Sequence, residues 1–361
     1  MRKLQTLAAA VVVVTLLAGC GGGAATPAAS GESSSAPGRG SGDTLVIYTN
    51  SNGEGRGEWL TAKAAEAGFT IEVVGVGGAD ATNKLIAEKN NPIADVAFGL
   101  NNMYFAQIKA EGAIERYEPA WAADVDTALG DSGSDKAYWP LVKQAILLGY
   151  NSDKITKDAA PKDWTDLWTK DEFKGRYERV TGLGTATAQL VFAGILSRYK
   201  DSSGDLGISD EGWKQVEQYF QNGSPAVAKT DLFARIASGE VDMGQMPSSI
   251  ISEREKSFKV NVETVAPSVG VPLAVEQVAL VKGTDKKEEA QKFIDWFGSA
   301  DVQGAWAQQF NSMPVNKGAA AKAKPEVVEF FAGLKQQDID WDFVQKNMGA
   351  WVEKIELEYM T

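Results

Sequence analysis

The chain has 361 residues, with 36 Lys and Arg against 48 Asp and Glu, a formal net charge of −12, one cysteine and no histidine. The missing histidine excludes Ser-His-Asp and Cys-His catalysis and zinc sites of the usual His/Cys kind, and a lone cysteine excludes an internal disulfide. The acidic balance argues against nucleic acid as a partner but says little about small ligands, which local donors can hold against the global sign.

Residues 1–19 read as an export signal. Arg2 and Lys3 precede an apolar core (residues 7–17) that only Thr15 interrupts, and Leu17-Ala18-Gly19 leads into Cys20. That core is well short of the ~20 apolar residues that span a bilayer. Small residues directly before a cysteine match the bacterial lipobox. Cleavage before Cys20 and its lipidation are therefore expected, holding the protein at the outer face of a membrane. Cleavage would leave 34 basic against 48 acidic residues. Residues 20–43 are mostly Gly, Ala, Ser and Pro with almost nothing to build a core, and read as a flexible tether reaching roughly 25–30 Å.

From residue 44 strand and helix patterns alternate, the signature of a parallel α/β sheet. Residues 45–49 read as a buried strand ending in Asn50-Ser51-Asn52-Gly53, followed by a helix over 55–67. A second strand (70–76) ends in Gly77-Gly78-Ala79 and a helix to residue 89. A third (94–98) ends in Gly99-Leu100-Asn101-Asn102 and a helix to residue 110. In open α/β sheets ligands bind beyond the carboxyl ends of strands, so these three loops are candidates as a group.

Residues 139–150 form one apolar segment, long enough to cross between two lobes, as the 318 residues after the tether would require. Segment 181–187, Thr-Gly-Leu-Gly-Thr-Ala-Thr, lies where a strand-like stretch gives way to an apolar helix over 188–196. Helix starts leave N–H groups without intrahelical partners and carry partial positive charge, so small residues there can cradle an anion. A capped helix start with no ligand fits the same residues. Helices are expected from Asp163, over 210–221, from Thr230-Asp231 to Gly239, over 288–297 and 301–310, and twice more between 325 and 359. Strands are expected over 241–246, ending in Pro247-Ser248-Ser249, and over 273–281. In the latter Glu276 and Gln277 interrupt an apolar run, and one of them is expected to face a cleft. The loop 201–207 lacks the glycine and glutamate of a calcium loop, and Trp59, Trp164, Trp213 and Trp296 sit on apolar stripes as core. No cofactor, metal or catalysis is expected.

Several stretches together resemble the extracellular solute-binding proteins of ATP-driven importers, in particular the ferric-ion-binding and the phosphonate- or sugar-phosphate-binding periplasmic proteins. They are Val46-Ile47-Tyr48-Thr49, Ala94-Asp95-Val96-Ala97-Phe98, Gly149-Tyr150-Asn151, Trp164-Thr165-Asp166-Leu167 with Phe173-Lys174-Gly175, Ser238-Gly239-Glu240-Val241-Asp242, and the run from Glu288 to Phe297. The resemblance implies an α/β, two-lobed type II periplasmic-binding fold with two hinge crossings, near 147–150 and 273–278. Lobe 1 would comprise 44–148 plus 274–312, lobe 2 149–273, and 313–361 would be helices packed on the lobes. It also implies a monomer that works with an ABC permease and its ATPase.

Ferric binders carry a histidine where Asn52 stands here, a glutamate at Leu100, and a tyrosine pair at Ser249-Ile250. Neutral residues cannot replace those hard anionic donors, so direct ferric binding is not expected. The anion half of that site matches Leu183-Gly184-Thr185, with Thr230 and Ser248 beside it. Candidate ligand contacts are thus Asn50, Ser51, Asn52, Gly77, Gly78, Gly99, Asn101, Gly184, Thr185, Ala186, Thr187, Thr230, Pro247, Ser248, Ser249 and Glu276. The expected solute is a small anion such as a phosphonate or phosphate ester. The alternatives are a cationic or neutral solute of the thiamine or polyamine kind, an iron complex, or a sensor role.

Overall fold

In the first sheet, strand Thr44–Thr49 lies between Thr70–Gly75 and Val96–Phe98, all parallel, with Ile47 opposite Val73 on one side and Val96 on the other. The computed structural model describes residues 44–360; the export signal, Cys20 and the tether lie outside the described residues. Parallel neighbours need a crossover between them, and helices Arg56–Glu66 and Gly78–Ala87 supply it. Both faces of the central strand are buried: Leu45 and Ile47 join one cluster with Phe98, Phe297 and Trp306, while Val46 and Tyr48 join another with Leu85 and Phe105. Trp59, Phe98, Phe297 and Phe310 ring Trp306 at centroid separations between 4.7 and 6.2 Å. Each such contact contributes about 0.5–1.5 kcal/mol beyond area burial, and Trp59, half-buried, packs against the core on the apolar stripe its spacing predicts.

The strand Tyr138–Asn151 joins the two halves of the structure. Up to Ala145 it pairs antiparallel with Leu273–Val281, the last pair being Ala145 with Leu273. From Ile146 onward it pairs with Met243–Pro247, and its end also with Val262–Thr264. The exchange comes just before the expected crossing at 147–150, where the Ile146 N–H donates to the Pro272 carbonyl at 3.0 Å and the partner strand begins.

Beyond the crossing, helix Ala186–Leu196 is buried from Ala188 to its end. It is packed in a cluster with Trp168, Tyr177 and Tyr219. The expected helix at Asp163 is only one turn, Asp166–Thr169. The Asp163 carboxylate instead pairs with Arg198 at 2.7 Å. Helix Ile251–Phe258 has no expectation behind it, because its charged sequence ISEREKSF buries no residue and so shows no apolar stripe. The two expected C-terminal helices are Pro325–Gly333 and Trp341–Glu358. The second lays Val344, Met348, Trp351 and Ile355 into the cluster around Trp168. Among the described residues no helix is long and apolar enough to cross a membrane.

Candidate functional site

Because the first three strands are parallel, their carboxyl ends share one edge. Asn50 and Ser51, Gly77 and Gly78, and Gly99 and Asn101 follow those ends. Gly184 to Thr187, Pro247 and Ser249 face them, and Gln144, Ile146, Ala274 and Glu276 of the crossing strands complete the walls. Together they line one cavity of about 300 Å³. Gly99 has φ +88, and a Cβ there would stand 2.7 Å from the Ser51 Cβ. Only glycine lets this turn lie against the first strand-end loop.

The donors come from two helix starts. Thr185 is extended (φ −102, ψ 146) and its Oγ accepts the Ala188 N–H at 3.3 Å. The Gln189 N–H donates to the Thr185 carbonyl at 3.2 Å, the first intrahelical bond. Ala186 and Thr187, both lining the cavity, thus present first-turn N–H groups that the helix itself does not satisfy. Asn101 caps helix Asn102–Ala110 by accepting the Tyr104 N–H at 3.2 Å. Its Nδ2, buried at the cavity, has no partner among the described residues, and the residue is 4 % exposed.

The charged groups form a chain across the cavity. Arg56 donates to Glu54 at 2.9 Å and to the Ser249 hydroxyl at 3.3 Å, and its guanidinium lies over the Phe310 ring at 5.1 Å. Ser249 donates to the Gln144 side-chain oxygen at 2.8 Å, and the Gln144 amide donates to Glu276. Burial pushes the Glu276 carboxyl up; nearby Arg56 and hydrogen bonds from Ser51 and Gln144 pull it the other way. Glu54 also accepts from Arg254 at 3.0 Å. This half-buried pair ties the first strand-end loop to helix Ile251–Phe258, with about 0–1 kcal/mol of stabilisation.

The alternation of the return strand, with a bulge between Glu276 and Gln277, puts Glu276 at the cavity. Gln277 is turned away, fully buried, and donates to the Leu129 carbonyl at 2.8 Å. Three candidate residues lie elsewhere. Asn52 packs over Gly75, whose added Cβ would sit 1.8 Å from its amide nitrogen. Ser248 accepts the Ala145 N–H at 3.1 Å and lines a separate groove with Phe330 and Phe331. Thr230 is exposed in a turn closed by its N–H to the Val227 carbonyl at 3.0 Å, and Asp231 caps the following helix.

Glu54, Arg56 and Gln144 line the cavity without having been expected there. For Gln144 a signal existed: it interrupts the apolar run 139–150 as Glu276 interrupts 273–281. Arg56 gave none, since a charged residue in a first helical turn is ordinarily solvated. Leu100, where the resemblance places a ferric-ligating glutamate, is fully buried. Among the described residues no group of three or more His, Cys, Asp or Glu is placed to hold a metal. In the loop 201–207 the Asp201 carboxylate is bonded to its own turn, at Ser203.

The chain is similar to known proteins in sequence and in fold. A Sinorhizobium fredii protein named "Probable ABC transporter periplasmic-binding protein" is 36 % identical over 320 residues, 88 % of this chain and 86 % of its own length. A Salmonella typhimurium periplasmic protein whose name proposes 2-aminoethylphosphonate binding is 24 % identical over 89 % of this chain and 94 % of its own. The apo ferric ion-binding protein A of Pasteurella haemolytica superposes with a TM-score of 0.74 at 18 % identity, over 88 % of this chain and 99 % of that one. That likeness shows the two-lobed type II periplasmic-binding fold. Residues 59–330 match the bacterial extracellular solute-binding protein family. By that match and the Sinorhizobium relative, the chain belongs to this extracytoplasmic family, as a substrate-binding protein of an ABC transporter and not an enzyme.

Proposed function

We propose that the chain captures a small anionic solute, a phosphonate or phosphate ester, in the cleft between its lobes and delivers it to an ABC permease for import. One observation carries this reading: the first-turn N–H groups of Ala186 and Thr187 and the unpartnered amide of buried Asn101 meet at a single 300 Å³ cavity. Donors held in place at a helix start favour negative charge without needing a formal cation. The phosphonate named for the Salmonella relative supports the chemistry. The hinge crossings lie where the long strand exchanges partners, at Ala145 and Ile146, and in the return strand from Leu273 to Glu276. The first strands and the return strand then make lobe 1, and the strands paired beyond Ile146 make lobe 2. Closure about this hinge would seal the solute in.

Calorimetry against methylphosphonate, ethylphosphonate, 2-aminoethylphosphonate, glycerol 3-phosphate and inorganic phosphate tests the reading. At least one dissociation constant below about 100 μM, roughly −5.5 kcal/mol, is expected. Binding of thiamine or a polyamine with none of these anions would overturn it. We also propose lipid anchoring through Cys20, which lies outside the described residues. Metabolic palmitate label is expected on the wild type and absent from Cys20→Ser; label retained by the variant would rule the anchor out.

A further inference from the structure

We propose that Asn50, Ser51 and Glu276 form an ammonium subsite, so that the captured anion also carries a primary amine. The inference rests on the anion reading above. Glu276 is 7 % exposed and lines the cavity. Its carboxylate accepts a hydrogen bond from Gln144, has Ser51 beside it and, among the described residues, has no ion pair. Arg56 is nearby but spends its guanidinium on Glu54, the Gly53 carbonyl and Ser249. A buried carboxylate without a cation is costly.

A second observation points the same way. The Asn50 side-chain oxygen, also at this cavity, is a buried acceptor with no partner among the described residues. It belongs to the same cluster as Ser51, because a Cβ on Gly99 would meet Ser51 at 2.7 Å and the Asn50 oxygen at 3.0 Å. Ser51 and Glu276 in turn line the same cavity, close enough for Ser51 to draw the Glu276 carboxyl down. A primary ammonium has three donors and no acceptor, which suits three neighbouring oxygens. A plain anion would meet Glu276 as a like charge, and a neutral solute would leave its carboxylate unpaired. No aromatic ring lines the cavity, so the cage that quaternary ammonium ions need is missing. The cavity therefore has acceptors at Asn50, Ser51 and Glu276 and donors at Ala186, Thr187 and Asn101, which sets the direction in which an amino-anion lies.

The test compares ω-aminoalkylphosphonates of one, two and three carbons with the alkylphosphonates of equal length, by calorimetry at pH 7 on the mature protein. A preference for the amine of roughly 10-fold or more is expected at one length or more, the scale of charge-assisted hydrogen bonds. In Glu276→Gln, near-isosteric with the parent, the ratio should fall toward one. Asn50→Ala should lower it less and serves if Glu276→Gln does not fold. Alkylphosphonates that bind as tightly as their amines at every length overturn the subsite and spare the anion reading. A preference that persists in a folded Glu276→Gln protein also overturns the subsite. Binding by neither series overturns both.

Discussion

Replacing Ala186 by proline is expected to remove most solute binding while leaving the fold intact. Ala186 is the first residue of its helix, the position where proline is tolerated because the N–H has no helical acceptor. The preceding Thr185, at φ −102 and ψ 146, already has the extended backbone that a following proline demands. The helix behind it is buried through Leu196 and should keep its packing. What disappears is one N–H aimed at negative charge, worth about 1.5–3 kcal/mol when the acceptor is ionised, or roughly 10- to 150-fold in affinity. Calorimetry with the tightest anion of the panel, beside a thermal melt, separates the outcomes. Unchanged affinity would mean that this N–H meets no solute, and a fall in both affinity and melting temperature would make the turn a structural cap.

Gly99→Ala should damage both stability and binding. Its φ of +88 costs an L-residue about 1–2 kcal/mol. The new Cβ would also stand 2.7 Å from Ser51 Cβ and 2.8 Å from the Thr49 hydroxyl, and overpacking of that kind typically adds about 1–3 kcal/mol. A combined loss of about 2–5 kcal/mol corresponds to a fall in melting temperature on the order of 3–8 °C for a chain of this size. Relief of the clash would push Ser51 and Asn50 into the cavity, so the preference for an amino-anion should shrink as well. Gly182→Ala is the control, since a Cβ there meets nothing within 4 Å. Equal melting temperatures for the two variants would show that the Gly99 turn relaxes without cost.

Much of the candidate site was legible from the chain because it depends on local rules. Alternating strand and helix patterns give parallel strands, whose carboxyl ends share an edge, and that brings residues 50–51, 77–78 and 99–101 to one cavity. The start of the helix at 186 was readable from small residues ahead of an apolar run. Helix Ile251–Phe258 was not, since it buries nothing, and its Arg254 link to Glu54 joins residues two hundred positions apart.

The alternation, the helix start and the lack of histidine are properties of the chain alone; they settled the α/β class, excluded the common catalytic sites and made the small-residue turn before residue 186 a candidate contact. Tertiary structure decided which polar side chains face the cavity. In a strand, one residue of register exchanges the two faces, so only the pairing of 273–281 with 138–145 and its bulge could put Glu276 at the cavity and Gln277 behind it. Likewise Asn52, Ser248 and Thr230 turned to backbone, neighbouring strand or solvent, while Arg56 and Gln144 entered. Their positions follow from how the two lobes meet across the crossing strands, a contact between distant residues that no local pattern encodes.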